Sequence, residues 1–400
     1  MQKVKETDVH SLQFEKGDLM DNLNASTTMS LGFIGGSLYS AVGYAHAVSA
    51  SMDHRWALAA GCFSTDMVKN LKTSQAYGVV PDRIYDTWQN LLKKEKGCLD
   101  AVAVLTPTPS HYDIVARCLN EGIPVICEKS LVANSADAKA VLDLRDQKKG
   151  FLAVTYNYSG YPMVRELRSL IRNGVLGEIK HFQAEMPQEG YTRVDGHGNK
   201  PAPQSWRLSD GNVPTIHLDL AVHLHHLIHY LIEQKPIEVV ADQDSYGWFP
   251  EVIDNVGCLC RYSEGVKGQM WFSKSALGHR NGLRLRIYGT KASAEWYQAC
   301  PEELVVSHSD GRRVIIDRAS NVKMAGLQRY NRFKAGHPAG FIEAFANLYN
   351  DIADCLCQFK KTGQWQSDDV FSAELALEGL KMIESMVKSI GTKTWQSVCE

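Results

Sequence analysis

Three side chains in this sequence have the types and spacing for acid-base chemistry. Lys129 ends the run Val125-Ile126-Cys127-Glu128-Lys129-Ser130, and Asp219 and His223 stand four apart in His217-Leu218-Asp219-Leu220-Ala221-Val222-His223. Four residues are about one helical turn, so a carboxylate and an imidazole placed this way share a helix face and can enter one pocket. A lysine is a fixed cation, a carboxylate orients donors, and an imidazole titrates near neutral pH. Each feature alone has an ordinary account as well, a solvated Glu-Lys pair or an ion pair on a helix surface.

The elements around Lys129 favour the chemical account. A short apolar strand, entered through Gly122-Ile123-Pro124 beside the apolar run Leu99 to Leu105, delivers Lys129 at its carboxyl end, where parallel α/β sheets gather ligands. Upstream, Leu31-Gly32-Phe33-Ile34-Gly35-Gly36-Ser37 runs into Gly43 and His46, an apolar strand leading through glycines to a helix. Such a turn lets backbone amides and a helix N-terminus approach a pyrophosphate. The dinucleotide fingerprint is imperfect here. Its second glycine is either Gly36 or replaced by Ser37, and the run to Gly43 is longer than usual, so a plain glycine turn accounts for it equally well.

Alternating strands and helices follow. Trp56 to Phe63 reads as a strand, Asp66 to Tyr77 as a helix, Ile84 to Asp86 as a short strand and Thr87 to Lys96 as a helix. Where an acidic residue would take the adenosine ribose, the chain has Phe63-Ser64-Thr65. Ser64, Thr65 and Lys69 could accept a 2′-phosphate and Asp66 would repel one, so NAD and NADP both stay open. After the strand Asp100 to Leu105, Thr106-Pro107-Thr108-Pro109-Ser110-His111 holds an extended loop, because its two prolines delay the next helix to about His111.

Composition bounds the class. The chain has 400 residues, 44% hydrophobic and 22% charged, with a formal net charge of -2, which suits a soluble globular protein of about two domains. There is no basic excess to draw nucleic acid or an anionic membrane. Ten cysteines are scattered without a Cys-x-x-Cys pair, a pattern of reduced thiols in a cytosol. The first 29 residues are polar and lack a signal-peptide core, and no later run is long enough to span a bilayer. They read as a disordered or extended N-terminus of a cytoplasmic protein, with Met29 as an alternative start.

Taken together, the glycine turn ending in Gly43-Tyr44-Ala45-His46, the Thr106-Pro107 to His111 loop and Cys127-Glu128-Lys129-Ser130 resemble the glucose-fructose oxidoreductase, inositol dehydrogenase and MocA family. The resemblance extends from about Leu31 to about Ile390. It implies an α/β Rossmann domain over residues 30–158. An α+β domain with a large, mainly antiparallel open sheet follows over 159–400, its C-terminal helix from Ser372 to Ser389 packing back on the nucleotide half. It implies a nicotinamide cofactor, NAD or NADP with NAD favoured, against Gly35, Gly36, Ser37, Gly43, Ser64, Thr106, Pro107, His111, Glu128 and Lys129. By the family's Glu-Lys-Pro motif Lys129 is the catalytic lysine, with Ser130 in place of proline. By its Asp-x-x-x-His motif Asp219 holds a sugar hydroxyl and His223 accepts the proton, with Ala221 where glycine is usual. Ser159 stands where members commonly have an arginine, and that contact is lost.

The second half reads as follows. Phe151 to Tyr158 is the last strand of the nucleotide half, Pro162 to Asn173 a helix closed by Gly174, and Gln188 to Ser205 a long loop. Trp206 and Arg207 suit sugar stacking and hydroxyl binding, or equally an aromatic anchor and a surface cation. Asn157 and Tyr158 could complete a polyol site, and His337 resembles a family position near the pocket. His217, His225, His226 and His229 read as packing residues at a domain or dimer face; zinc is the weaker alternative for His225 and His229, and no metal site is expected. From Pro236 to Trp296 five segments read as antiparallel strands, and by resemblance their open face joins copies into dimers or tetramers. Phe272-Ser273-Lys274 and Asn281 to Arg284 fall at strand ends, surface turns by default. A long helix follows Gly336 to Phe341. The expected activity is hydride transfer between a nicotinamide and a carbinol of a sugar, sugar derivative or inositol. An NAD-dependent glycosidase on the same scaffold and a non-catalytic nucleotide or sugar sensor are the alternatives.

Overall fold

The computed structural model describes residues 28–398, so the expected N-terminal extension lies almost wholly outside the described residues, and Met29 already belongs to the first strand. The first half winds β1 (Met29–Gly35), α1 (Gly43–Ser51), β2 (Trp56–Cys62), α2 (Met67–Tyr77), α3 (Trp88–Glu95), β3 (Ala101–Leu105), α4 (His111–Asn120), β4 (Val125–Cys127), α5 (Ser135–Lys148) and β5 (Leu152–Val154). Its strands make one sheet in the order β2-β1-β3-β4-β5, every pairing parallel. The helix limits follow local chemistry. The Asp66 side chain accepts from the amides of Val68 and Lys69 to open α2, and Gly78 closes it in the left-handed region at φ 71°.

Two expected strands are shorter than the sequence pattern suggests. Ile84 to Asp86 contributes only a bridge from Ile84 to Gly61, because Pro81–Arg83 forms a 3-10 turn and the Tyr85 carbonyl is taken by Asn70 Nδ2. Phe151 to Tyr158 is strand only over β5; its continuation curls into a 3-10 turn at Asn157–Gly160. The curl turns Thr155 toward Glu128 instead of prolonging the sheet.

The second half adds α6 (Pro162–Arg172), β6 (Ile179–Pro187), α7 (Val222–Ile232), β7 (Pro236–Asp244), β8 (Asn255–Tyr262), β9 (Lys267–Ser273), β10 (Arg284–Gly289), β11 (Ala292–Tyr297), β12 (Leu304–His308), β13 (Arg313–Ile316), α8 (Phe341–Thr362), α9 (Ala373–Thr392) and β14 (Gln396–Ser397). Nine strands run in the order β13-β12-β11-β10-β6-β9-β8-β7-β14. The expected unbroken run of antiparallel hairpins is corrected at one seam. β6 inserts between β9 and β10 and pairs parallel with β9, while all other pairings are antiparallel. One face is covered by α6, α7 and α9; the other is open, with Leu259 49% exposed on β8.

Both C-terminal helices return to the first half. The apolar face of α8 (Phe345, Leu348, Tyr349, Ile352) joins Leu31, Phe33, Ile126 and Phe151 in one core, and Trp56 Nε1 donates to the Tyr349 carbonyl at 2.9 Å. Each such side chain stabilises the fold by roughly 1.5–3 kcal/mol. Helix α9 lies between α5 and β7; Glu384 on it accepts from the Ser135 amide at 2.7 Å.

Candidate active site

β4 is fully buried, so the chain can present polar side chains only where it leaves the sheet, at Glu128 and Lys129. Glu128 turns inward. Its Oε1 accepts from Thr155 Oγ1 at 2.5 Å and lies 3.3 Å from His46 Nε2, while His46 Nδ1 is 2.8 Å from the Tyr349 hydroxyl. Burial works to raise the Glu128 carboxyl, but His46, then Lys129 and Thr155, outweigh it and hold the group below its usual value. Lys129 turns the other way. Its Nζ donates at 2.8 Å to both the carbonyl and Oδ1 of Asp219. The Lys129–Ser130 peptide is cis, and Ser130 Oγ donates to the Val132 carbonyl at 2.8 Å.

Asp219 sits in a π-helical turn, His217–Ala221, that runs into α7; the sequence periodicity predicted one continuous helix. Such wide turns recur at functional sites. Besides Lys129, Asp219 receives two further cations on Oδ2: Lys274 Nζ at 2.5 Å and Arg207 Nη1. Burial would raise the Asp219 carboxyl, yet Lys129, Lys274 and Arg207 together hold it well below the carboxylate range. His223 follows one turn later, 5% exposed, edge-on to the Tyr158 ring at 4.7 Å, with Nδ1 buried and without a hydrogen-bond partner among the described residues. Burial and the Lys129 charge push it well below the ordinary histidine value against the pull of Asp219. At neutral pH it is an uncharged imidazole.

On the nucleotide side the glycines are required by geometry. Gly35 and Gly36 take φ values of 81° and 72°, and a Cβ on Gly43 would come 2.1 Å from the Gly36 carbonyl oxygen. The turn is wound tightly against the N-terminus of α1, whose first turn carries no acidic side chain. Backbone amides and a positive helix end without a competing carboxylate suit a pyrophosphate, so the residues present fit a dinucleotide. A cavity of about 130 Å³, lined by residues 40–42, Thr106, Pro107, Glu128, Lys129, Arg207 and Asp219, runs from the segment after this turn to the Lys129–Asp219 pair. A larger cleft of about 1300 Å³, beside Trp365, His229 and Glu378, does not include Lys129; chemistry, not volume, locates the site.

The remaining candidates are placed as follows. Ser37 is buried beneath the glycine turn, and Ser64 stands at the exit of β2 with Oγ accepting from the Asp66 amide. Thr106 Oγ1 accepts from Ser110, and Pro107 is exposed at the cavity. His111 is a clamp, its ring nitrogens 2.9 Å from the Ser130 carbonyl and 2.7 Å from that of Thr106. Asn157 is buried with Nδ2 unpartnered among the described residues, and the Tyr158 hydroxyl accepts from Asn281 at 3.2 Å. Trp206 carries the Arg207 guanidinium over its ring at 4.4 Å. His337 is exposed and stacked on Phe333 at 4.6 Å, and its carbonyl accepts from Arg318 Nη2 at 2.7 Å. Of the extra histidines, His225 and His229 share Glu378 Oε1 at 3.0 and 2.9 Å, His217 lies 3.3 Å from Gln243, and His226 stacks on Tyr156 at 4.5 Å. Lys274 is the residue the sequence reading left on the surface: it is 6% exposed and committed to Asp219.

Comparison with known proteins agrees with this geometry. Residues 29–156 match the model described as an oxidoreductase family with an NAD-binding Rossmann fold, and residues 164–295 match the GFO/IDH/MocA C-terminal domain. The chain is 29% identical to the uncharacterized oxidoreductase YfiI of Bacillus subtilis, over 89% of this chain and 93% of that one. It is 23% identical to inositol 2-dehydrogenase of Rhizobium meliloti, over 53% of this chain and 62% of the relative. A crystal structure of an inositol dehydrogenase homolog from Azotobacter vinelandii, complexed with NADH and myo-inositol, superposes with a TM-score of 0.82 at 25% identity, covering 93% of this chain and 98% of that one. With a parallel nucleotide sheet, an open second sheet and both family models matched in order, the chain belongs to the Gfo/Idh/MocA oxidoreductase family.

Proposed function

We propose that this protein is an NAD-dependent dehydrogenase or reductase that moves hydride between the nicotinamide and a carbinol carbon of a sugar, sugar derivative or inositol. One observation carries the reading: Lys129 pairs with Asp219 at a cavity whose far wall, residues 40–42, follows the glycine turn, and His223 stands one helical turn beyond Asp219. When bound, the nicotinamide supplies the hydride acceptor or donor. Lys129 Nζ stabilises negative charge developing on the substrate oxygen. The uncharged His223 takes the hydroxyl proton: burial and the Lys129 charge keep the imidazole deprotonated, and the Asp219 charge opposes the loss of basicity that they bring. Asp219 fixes Lys129 through two hydrogen bonds and so sets the position of the cation. Asn157 Nδ2, buried and unspent, and the Tyr158 ring against His223 would line the polyol. The NADH and myo-inositol complex of the Azotobacter homolog supports both the cofactor and the substrate class. The half-exposed Leu259 on the open sheet face supports association of copies there, which the mass in solution checks.

The test begins with the nucleotide. Denaturing the purified protein releases any retained cofactor for identification, and titration with NADH and NADPH by nicotinamide fluorescence gives both affinities. Lys129→Ala should lower turnover about 10²–10³-fold with NADH affinity unchanged. Binding of neither nucleotide, or full turnover in the variant, would defeat the assignment.

A further inference from the structure

The cluster around Asp219 holds more positive charge than the proposed reaction needs. Lys129, Arg207 and Lys274 all pair with this one carboxylate, and none has another carboxylate within 4 Å among the described residues. Glu128 lies near Lys129 but faces Thr155 and His46. Even counting it, three cations meet two carboxylates, and an oxidised nicotinamide would add a further positive charge. The surplus sits in a buried place, with side-chain exposures of 13% for Lys129, 20% for Arg207 and 7% for Lys274. Burying an ammonium without a full counter-charge is unfavourable, because its lost hydration is not replaced. Lys274 is not needed to hold Lys129, which Asp219 holds through its other oxygen and its carbonyl. Arg207 lines the cavity and spends only Nη1 on Asp219, so Nε and Nη2 have no side-chain or backbone acceptor among the described residues. A guanidinium fork with an open edge matches a planar carboxylate.

We infer that the substrate carries a carboxylate which docks against Arg207 within the field of Lys274 behind Asp219, making it a sugar acid or cyclitol acid and not a neutral polyol. The inference rests on the dehydrogenase reading above and narrows its substrate class. A carboxylate supplies the missing negative charge, and its planar pair of oxygens matches the open edge of the Arg207 fork. Lys274, immediately after β9 and paired with Asp219, then sets the preference through its charge.

The test compares matched pairs, D-glucuronate with D-glucose and D-galacturonate with D-galactose, together with D-glucose 6-phosphate, as kcat/KM for NAD reduction. At least one hexuronate should exceed its neutral partner by about 10–100-fold, the range a charge-assisted hydrogen bond supplies. Lys274→Met should bring that ratio to within a few-fold of one, Lys274→Arg should largely keep it, and NADH affinity should stay within twofold in both. A preference for a neutral hexose or for the 6-phosphate, no turnover of any acid by protein that binds NADH, or a ratio indifferent to Lys274→Met overturns the inference and leaves the dehydrogenase reading standing. Protein that neither binds NADH nor turns over any member of the panel removes that reading, and this inference with it.

Discussion

Replacing Asp219 by Asn leaves Lys129, Arg207 and Lys274 around a neutral amide of nearly the same shape. Removing one partner of a buried ion pair costs about 3–5 kcal/mol, because the stranded charge keeps its desolvation penalty. Unfolding entropy of about 2.1 cal/mol/K per residue over 400 residues is about 0.8 kcal/mol/K, so a loss of about 4 kcal/mol lowers Tm by about 5 °C. The loss depends on pH. Burial already pulls Lys274 below the usual lysine value, and Asp219 is the chief group pulling it back up. In the variant its folded pKa falls further below the unfolded one, so the unfolded state binds more protons over the interval between them, and stability rises with pH there. The deficit should therefore shrink as pH rises toward the unfolded lysine value of about 10.4. Calorimetry of Asp219→Asn, Lys274→Met and the double variant completes a cycle. The double variant should recover about 1–3 kcal/mol relative to the sum of the singles, since it removes one stranded cation. Asp219→Asn melting within 1 °C of the parent, or strict additivity, would refute the charge balance drawn for this site.

Gly43→Ala should weaken NADH binding at least tenfold by fluorescence titration, because its Cβ meets the Gly36 carbonyl at 2.1 Å and must distort the turn; an affinity within twofold of the parent counts against the turn as the nucleotide site. His226→Phe should be neutral or stabilising by up to about 1–3 kcal/mol in thermal melts, since both ring nitrogens are buried without partners and the stack on Tyr156 survives; a clear loss would assign the imidazole a hydrogen bond. Burial takes His217 down to about 4. Its unfolded value is about 6.5, so the unfolded state gains the proton first and stability falls as pH drops from about 6.5 to 4, by up to about 1.4 kcal/mol per unit. In His217→Phe this part of the acid loss should vanish, and an unchanged slope of melting temperature against pH would sink the assignment.

What the sequence made legible was local. Lys129 is announced by an apolar strand and its exit, and the four-residue spacing of Asp219 and His223 places them on one face whether the turn is α or π. Register between distant segments left no such trace. Lys274 reads as a strand-end surface residue because its partner Asp219 is 55 residues upstream and only the insertion of β6 beside β9 shapes that end of the sheet. The π turn escaped because five residues cannot separate a wide helical period from 3.6. β12 and β13 escaped as a short edge hairpin with Arg313 and Val314 exposed, too brief for an alternation signal. His337 was placed by likeness of position, and the chain instead uses it to stack on Phe333.

The return of α8 to the first sheet bears on how the chain is made. Leu31, Phe33, Ile126 and Phe151 share their core with Phe345, Leu348, Tyr349 and Ile352, so the part of that sheet face not covered by Ala47 and Ala50 of α1 stays open until the ribosome has passed Ile352. About 200 residues separate the end of β5 from that point, which is roughly 10–40 s of synthesis at about 5–20 residues per second. During that interval the emerging first half is a client for whatever holds apolar surface in the cell, and a message truncated before α8 would yield a nascent chain bound for degradation.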